Sequence, residues 1–141
     1  MNLPAAELLP HASPMLLVRS VLAHSPERTV CAVLVADSEL FRAADGRVPA
    51  YVGLEYMAQC IAAHGGLLAR ALGTPPAPGL LVGAKQLALH REWLDADESL
   101  EVEARLLGRA GALASFGCAL RAGAELVAEG TLSVYVSEDL R

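Results

Sequence analysis

The sequence predicts an α+β fold in which one long central helix is wrapped by a curved, mostly antiparallel sheet of about six strands. Three observations lead there. Residues 48–72, "VPAYVGLEYMAQCIAAHGGLLARAL", are small or apolar on nearly every side. Strand-like runs lie on both sides of this helix, two before it and about four after it. A single crossover helix cannot build a parallel, doubly wound sheet, so the strands must pair mainly through hairpins.

Taken in order, "MLLVRSVLAH" (15–24) and "RTVCAVLVA" (28–36) are rich in aliphatic and β-branched residues and are separated by the turn signal "SPE", which predicts a hairpin. "DSELFRAADGRVP" (37–49) is polar and punctuated by Gly and Pro, as expected of a loop. Pro49 suits the first helical position, where a missing N–H costs nothing. Gly73 and the following "TPPAPG" end the helix near Leu72. "GLLVGAKQLALH" (79–90) follows as a strand, then the loop "REWLDAD". In "SLEVEARLLG" (99–108), Leu100, Val102, Ala104 and Leu106 alternate with Glu101, Glu103 and Arg105, the pattern of a half-buried strand. "ALASFGCALRAG" (112–123) and "ELVAEGTLSVYV" (125–136) complete the set. The 141 residues are read as one domain, 1–141, with no repeats or low-complexity linkers.

Composition narrows the function. The chain is 54% hydrophobic but only 4% aromatic, so Ala, Leu, Val and Gly supply the core. A net charge of −5 without clustered Lys or Arg argues against nucleic acid as a partner. Cys31, Cys60 and Cys118 are far apart and form no metal-ligand spacing, so no metal is expected and reduced, buried thiols are. The N-terminal stretch lacks the pattern of a secretory signal, and Glu55, Gln59, His64 and Arg70 interrupt the helix as a membrane span. The expectation is a cytoplasmic protein without membrane contact.

The helix poses the functional question. Glu55 and, one turn on, Gln59 sit where a wrapped helix offers almost no wet face. A glutamate near a helix N-terminus is common because the dipole favours it. On a helix without a polar face, however, a carboxylate is either costly or useful.

Two motifs around these residues resemble the bacterial 3-hydroxyacyl-(acyl-carrier-protein) dehydratases of the hotdog fold. "LLPHASPMLLVRSV" (8–21) is similar to that family's Leu-Pro-His-x-x-Pro opening, and "PAYVGLEYMAQ" (49–59) to its helix start. "DESL" (97–100) echoes its Gly-Asp-x-Leu turn. The Tyr-Met-Ala-Gln-x-Ile-Ala-Ala form of the helix is similar to a divergent branch of dehydratase-like proteins, some associated with aryl polyene biosynthesis. The likeness fails at one place. The family's catalytic histidine, in a His-Phe-Pro-Gly segment fourteen residues before the glutamate, corresponds to Phe41, and the Asp after Leu-Leu-Val is replaced by Arg19.

The resemblance implies elimination of water from a 3-hydroxyacyl thioester, which needs a base at C2, an acid at the C3 oxygen and donors for the carbonyl. Glu55 is the candidate acid, its pKa expected to be raised by desolvation against the dipole, with Gln59 orienting it. His11, a structural residue in the family, is the candidate stand-in for the missing histidine. His24, His64 and His90, and the loop acids Asp37 and Asp45, are weaker candidates. Pro49, Val52, Gly53, Leu54 and Met57 are the candidate substrate-binding residues, with backbone donors near Val52–Leu54 and Gly53 permitting close approach. No bound cofactor is expected. The acyl group would arrive on the phosphopantetheine of an acyl carrier protein or of CoA.

Because active sites of this fold resemble composites of two protomers, a chain with Glu55 but no family histidine is expected to work as a homodimer or, with a histidine-bearing hotdog subunit, as a heterodimer. An acyl thioesterase, with Glu55 activating water or attacking the thioester, is the alternative, and a non-catalytic acyl-binding or assembly subunit the third reading.

Overall fold

A computed structural model describes residues 1–75 and 79–136. Its strands are β1 (Leu3–Pro4), β2 (Ser20–Ser25), β3 (Arg28–Leu34), β4 (Val48–Pro49), β5 (Gly79–Leu89), β6 (Trp93–Leu94), β7 (Ser99–Ala110), β8 (Leu113–Ala122) and β9 (Glu125–Val136). The one α-helix among the described residues, α1, spans Gly53–Leu72. The main sheet has seven strands, not six, in the order β1-β2-β3-β7-β8-β9-β5, and β4 pairs with β6 in a separate two-stranded ladder. Every pairing is antiparallel.

The long strands follow the alternation. Val102 and Ala104 are fully buried beneath α1, while Glu101 and Arg105 face outward. The register carries this inner face across the sheet, with Cys31 opposite Val102, Val102 opposite Leu120, and Leu120 opposite Ala128. Tyr56, Met57, Cys60 and Ile61 of α1 fill the core above these residues.

The helix begins later than expected, because Ala50–Val52 form a 3-10 turn ahead of it. It ends as expected: Gly73, at φ +68°, turns its N–H back to the Ala69 and Arg70 carbonyls in the left-handed conformation glycine tolerates. Pro76–Pro78 of the "TPPAPG" stretch lie outside the described residues. The first hairpin strand is shorter than its apolar run. Residues 16–19 lie outside the ladder, and β2 starts only at Ser20.

The sheet does not enclose the helix completely. Tyr51 (63% exposed), Glu55, Ala58, Ala62 and Gly65 recur at steps of four, three, four and three residues and form an open stripe. The expectation of a helix without a solvent face is corrected here: the small residues lie partly on the uncovered side. A second open surface is β5, the sheet's edge, where Leu80 and Val82 are 65% and 52% exposed.

Candidate active site

Gln59 is the hub of the site. It is 1% exposed, and its amide is fully used. Oε1 accepts from the backbone N–H groups of Leu17 (2.9 Å) and Val18 (3.2 Å), while Nε2 donates to the Met15 carbonyl (2.8 Å) and to Glu55 Oε1 (3.1 Å). This explains why Leu17 and Val18 need no strand partner for their N–H groups: a side chain of α1 accepts from both. The same amide positions the carboxylate one turn away. Both expected roles of Gln59, orienting Glu55 and satisfying backbone, coexist.

His11 approaches from the loop that Gln59 fixes. Its Nε2 lies 3.9 Å from Glu55 Oε1, and the two side chains are 30% and 38% exposed. That separation is too long for a direct hydrogen bond, and an atom bonded to both groups would have to sit beside the line joining them. His11 Nδ1 is buried without a partner. An unpartnered buried N–H is rarer than an unpartnered acceptor, so the favoured neutral tautomer carries its proton on Nε2, facing Glu55. Glu55 is more than a third exposed in the isolated chain, so it is not sealed in the core as a wrapped helix would place it.

The other candidates are occupied elsewhere. Asp37 is held in a two-point ion pair by Arg19 (3.1 and 3.2 Å), so the arginine that replaces the family's aspartate has its own acid. Asp45 pairs with Arg47, whose guanidinium also stacks 4.5 Å from the centre of Trp93. His90 pairs with Glu129, and His24 and His64 meet on the far side of α1 from Glu55. Of the expected substrate-binding residues, Val52 (3% exposed) and Met57 (0%) are in the core. Gly53 packs on β8, where an added Cβ would stand 3.0 Å from Leu120 Cδ2, so its close approach is to the sheet and not to a ligand. Its N–H is also engaged, turned back to the Ala50 and Tyr51 carbonyls. Pro49 and Leu54 keep partly open surface.

Two contacts were not anticipated. The Tyr56 hydroxyl meets Ser38 Oγ at 2.6 Å in a fully buried pair, and Arg42 donates to the Ala36 carbonyl. Together with Arg19–Asp37 they fix the segment before α1, and Phe41 packs partly buried against the core. A tyrosine next to Glu55 with a serine in the preceding loop was a visible signal, but nothing in their spacing specified the pair. Burial pushes the Tyr56 phenol up, with Ser38 opposing.

Hollows of about 290 Å³ and about 180 Å³ lie among Glu103, Arg105 and Gly130 on the outer sheet face and among Glu7, Gly66 and Arg70. Neither includes Glu55 or His11.

Comparison with known proteins agrees with this arrangement. The sequence matches the ApeP-like family, described as ApeP dehydratase, over residues 3–141. The chain belongs to that family. No curated protein matches it. Among solved structures it is similar to the dehydratase heterocomplex ApeI:P from Xenorhabdus doucetiae, with 23% identity, 99% of this chain and 95% of that chain covered, and a TM-score of 0.91. A hypothetical thioesterase protein with coenzyme A from Streptococcus pneumoniae matches at 14% identity, coverage of 83% and 84%, and a TM-score of 0.62. Zebrafish thioesterase superfamily member 2 matches at 19% identity, coverage of 92% and 88%, and 0.63. These likenesses carry the fold, which is the expected hotdog arrangement of one long helix against an antiparallel sheet. The family match carries the dehydratase assignment and the aryl-polyene-associated branch.

Proposed function

We propose that this ApeP-like chain is the Glu55-bearing subunit of a cytoplasmic dehydratase that removes water from 3-hydroxyacyl thioesters, and that it works in a hetero-oligomer with a second hotdog subunit. The acyl group would arrive on the phosphopantetheine arm of an acyl carrier protein or of CoA, with no bound cofactor. The observation that carries this reading is a positioned but open site: Glu55 fixed by Gln59, His11 Nε2 3.9 Å away, and the two side chains 38% and 30% exposed.

In this reading Glu55, as carboxylate, takes the C2 proton, and the Nε2–H of His11 gives a proton to the departing C3 hydroxyl. This reverses the acid role expected for Glu55, for the tautomeric reason given above. The elimination balances: one proton moves from C2 to Glu55, one passes from His11 Nε2 to the hydroxyl, which leaves as water, the double bond forms between C2 and C3, and the Glu55 proton then returns to the His11 imidazolate to reset the pair. The partner would cover the site, exclude water and strengthen the electrostatics. The open stripe of α1 beside Glu55 and the unpaired edge of β5 are the surfaces available to it. The heterocomplex in the similar solved structure supports the same reading.

The test is dehydration of a 3-hydroxyacyl-carrier thioester followed by mass spectrometry. The expected result is little turnover by the chain alone and turnover when it is co-purified with a second dehydratase subunit. Glu55→Gln should reduce that activity at least 100-fold and His11→Phe by about 10²–10⁴-fold. Full activity of the isolated chain would remove the hetero-oligomer. Unchanged activity of the Glu55→Gln complex would remove the site. Release of free thiol from acyl-CoA would move the assignment to the thioesterase alternative.

A further inference from the structure

We infer that His24, Thr29 and His64 form a relay that holds one added proton, and that a second proton releases the end of the β2–β3 hairpin from α1. The three residues lie away from Glu55 and serve no step of the proposed chemistry. Thr29 is 0% exposed and His64 1%, whereas His24 is half-buried at the hairpin end. Thr29 Oγ1 lies 2.8 Å from His24 Nδ1 and 2.7 Å from His64 Nδ1. The two rings are 5.2 Å apart at their centres, and Phe116 meets His64 edge-on at 5.6 Å.

Proton counting fixes how this bridge works. A threonine hydroxyl has one proton to donate and two lone pairs. With both histidines neutral, the satisfied arrangement has one Nδ1–H donating to Oγ1 and the hydroxyl donating to the other Nδ1. Charging His24, the more exposed ring, keeps this arrangement: its Nδ1–H donates to Thr29, which donates to His64. Charging both rings breaks it. Two N–H groups then aim at one oxygen, the buried hydroxyl proton loses its acceptor, and two cations face each other at close range.

The surroundings favour the neutral ring. Burial lowers His64 to about 4, and the charge of His24 pushes in the same direction. The Pro26 carbonyl and Glu27, from the β2–β3 turn, oppose this, while Arg109 from β7 adds to the lowering. β8 presents the uncharged Phe116. With His64 Nδ1 accepting from Thr29, the neutral ring carries its proton on Nε2, which is buried with no hydrogen-bond partner in place, so the second proton must go to the Nδ1 that the Thr29 hydroxyl already occupies.

The test is nitrogen-detected histidine NMR on the full chain between about pH 7.5 and pH 4, with amide exchange at Ser25–Arg28 followed in parallel. In wild type and Thr29→Ser, His24 should titrate first, and His64 Nδ1 should remain an acceptor while it does. Exchange at the hairpin end should quicken only in step with His64. His24→Phe should raise the His64 midpoint by about 1 unit, the scale of coupling between interacting sites. Thr29→Val should free both rings to choose their tautomers; should it not fold, Thr29→Ser and His24→Phe decide alone. An unshifted His64 midpoint in His24→Phe, or hairpin exchange that stays flat while His64 titrates, would overturn the relay.

Discussion

Replacing Gln59 with methionine removes hydrogen bonds while nearly conserving volume, and so isolates what its amide contributes. In the native chain that amide caps the N–H groups of Leu17 and Val18, which are 0% and 1% exposed, and holds the Met15 carbonyl. Without it, two buried donors lose their only acceptor. Each unsatisfied buried donor costs about 1–3 kcal/mol, so together they cost about 2–6 kcal/mol. The Met15 carbonyl belongs to a residue 42% exposed and water can reach it, so it adds little. Part of the loss returns because the substitution no longer buries an amide. The net expectation is a destabilisation of about 3 kcal/mol, a large share of the roughly 5–15 kcal/mol that holds a domain together. Urea unfolding at neutral pH would show it as a lower midpoint with unchanged slope. A loss below about 1 kcal/mol would mean the opening loop finds other partners and that Gln59 is not its anchor. Gln59→Glu separates the two halves of the amide. It keeps an acceptor for Leu17 and Val18 but sets a carboxylate against Glu55 and the Met15 carbonyl, so its stability should recover as pH falls and the acid protonates.

His64 is lowered from 6.5 to about 4 in the folded chain, so protons bind the unfolded state more tightly. Stability is therefore intact above about pH 6.5 and falls by about 2 kcal/mol at pH 5 and about 3 kcal/mol below pH 4. Urea midpoints across that range measure the loss, and His64→Phe should flatten it. The adjacent glycines of α1 should respond in opposite directions. An added Cβ at Gly65 meets nothing within 4 Å, so Gly65→Ala should gain about 1 kcal/mol of helix propensity. At Gly66 the Cβ would stand 3.0 Å from the Leu8 carbonyl oxygen, and Gly66→Ala should cost about 1–3 kcal/mol; thermal melts of the two variants decide.

Legibility followed how local each signal was. β7 could be read because Leu100, Val102 and Ala104 alternate with charged residues, and that period is a property of the strand itself. β4 and β6 are two residues each, too short to show any period, and only their mutual pairing makes them strands. Residues 16–19 have the apolar content of a strand, but some of their hydrogen bonds go to a glutamine more than forty positions away, which composition does not report. The site divides the same way. Glu55 and Gln59 were visible as polar residues at helical spacing. The meeting of His11 with Glu55 depends on how Gln59 folds the opening loop onto α1, a tertiary contact with no local trace. The open stripe was missed for a related reason: Ala58, Ala62 and Gly65 permit close approach, and the sequence does not say whether the approaching surface belongs to the same chain.

The segment before α1 bears on why the proposed reading gives this chain both His11 and a partner. In the dehydratases it resembles, that segment supplies the second catalytic group. Here its polar side chains are committed to structure: Asp37 to Arg19, Ser38 to Tyr56, and Arg42 to the Ala36 carbonyl. Phe41, at the histidine's position, is packed against the core. A segment held at so many points cannot swing a replacement group toward Glu55, and Asp37 could not leave Arg19 without stranding it. In the proposed reading, the chemistry left to this chain is therefore Glu55, its Gln59 support and the Nε2 of His11. Gln59 ties Glu55 and the opening loop within the chain, yet Glu55 and His11 stay partly open beside a stripe of small residues. The proposed pair without a roof would be of little use to a lone monomer, because water would surround His11 and Glu55 and weaken every charge interaction there. It suits a subunit whose partner closes over the site.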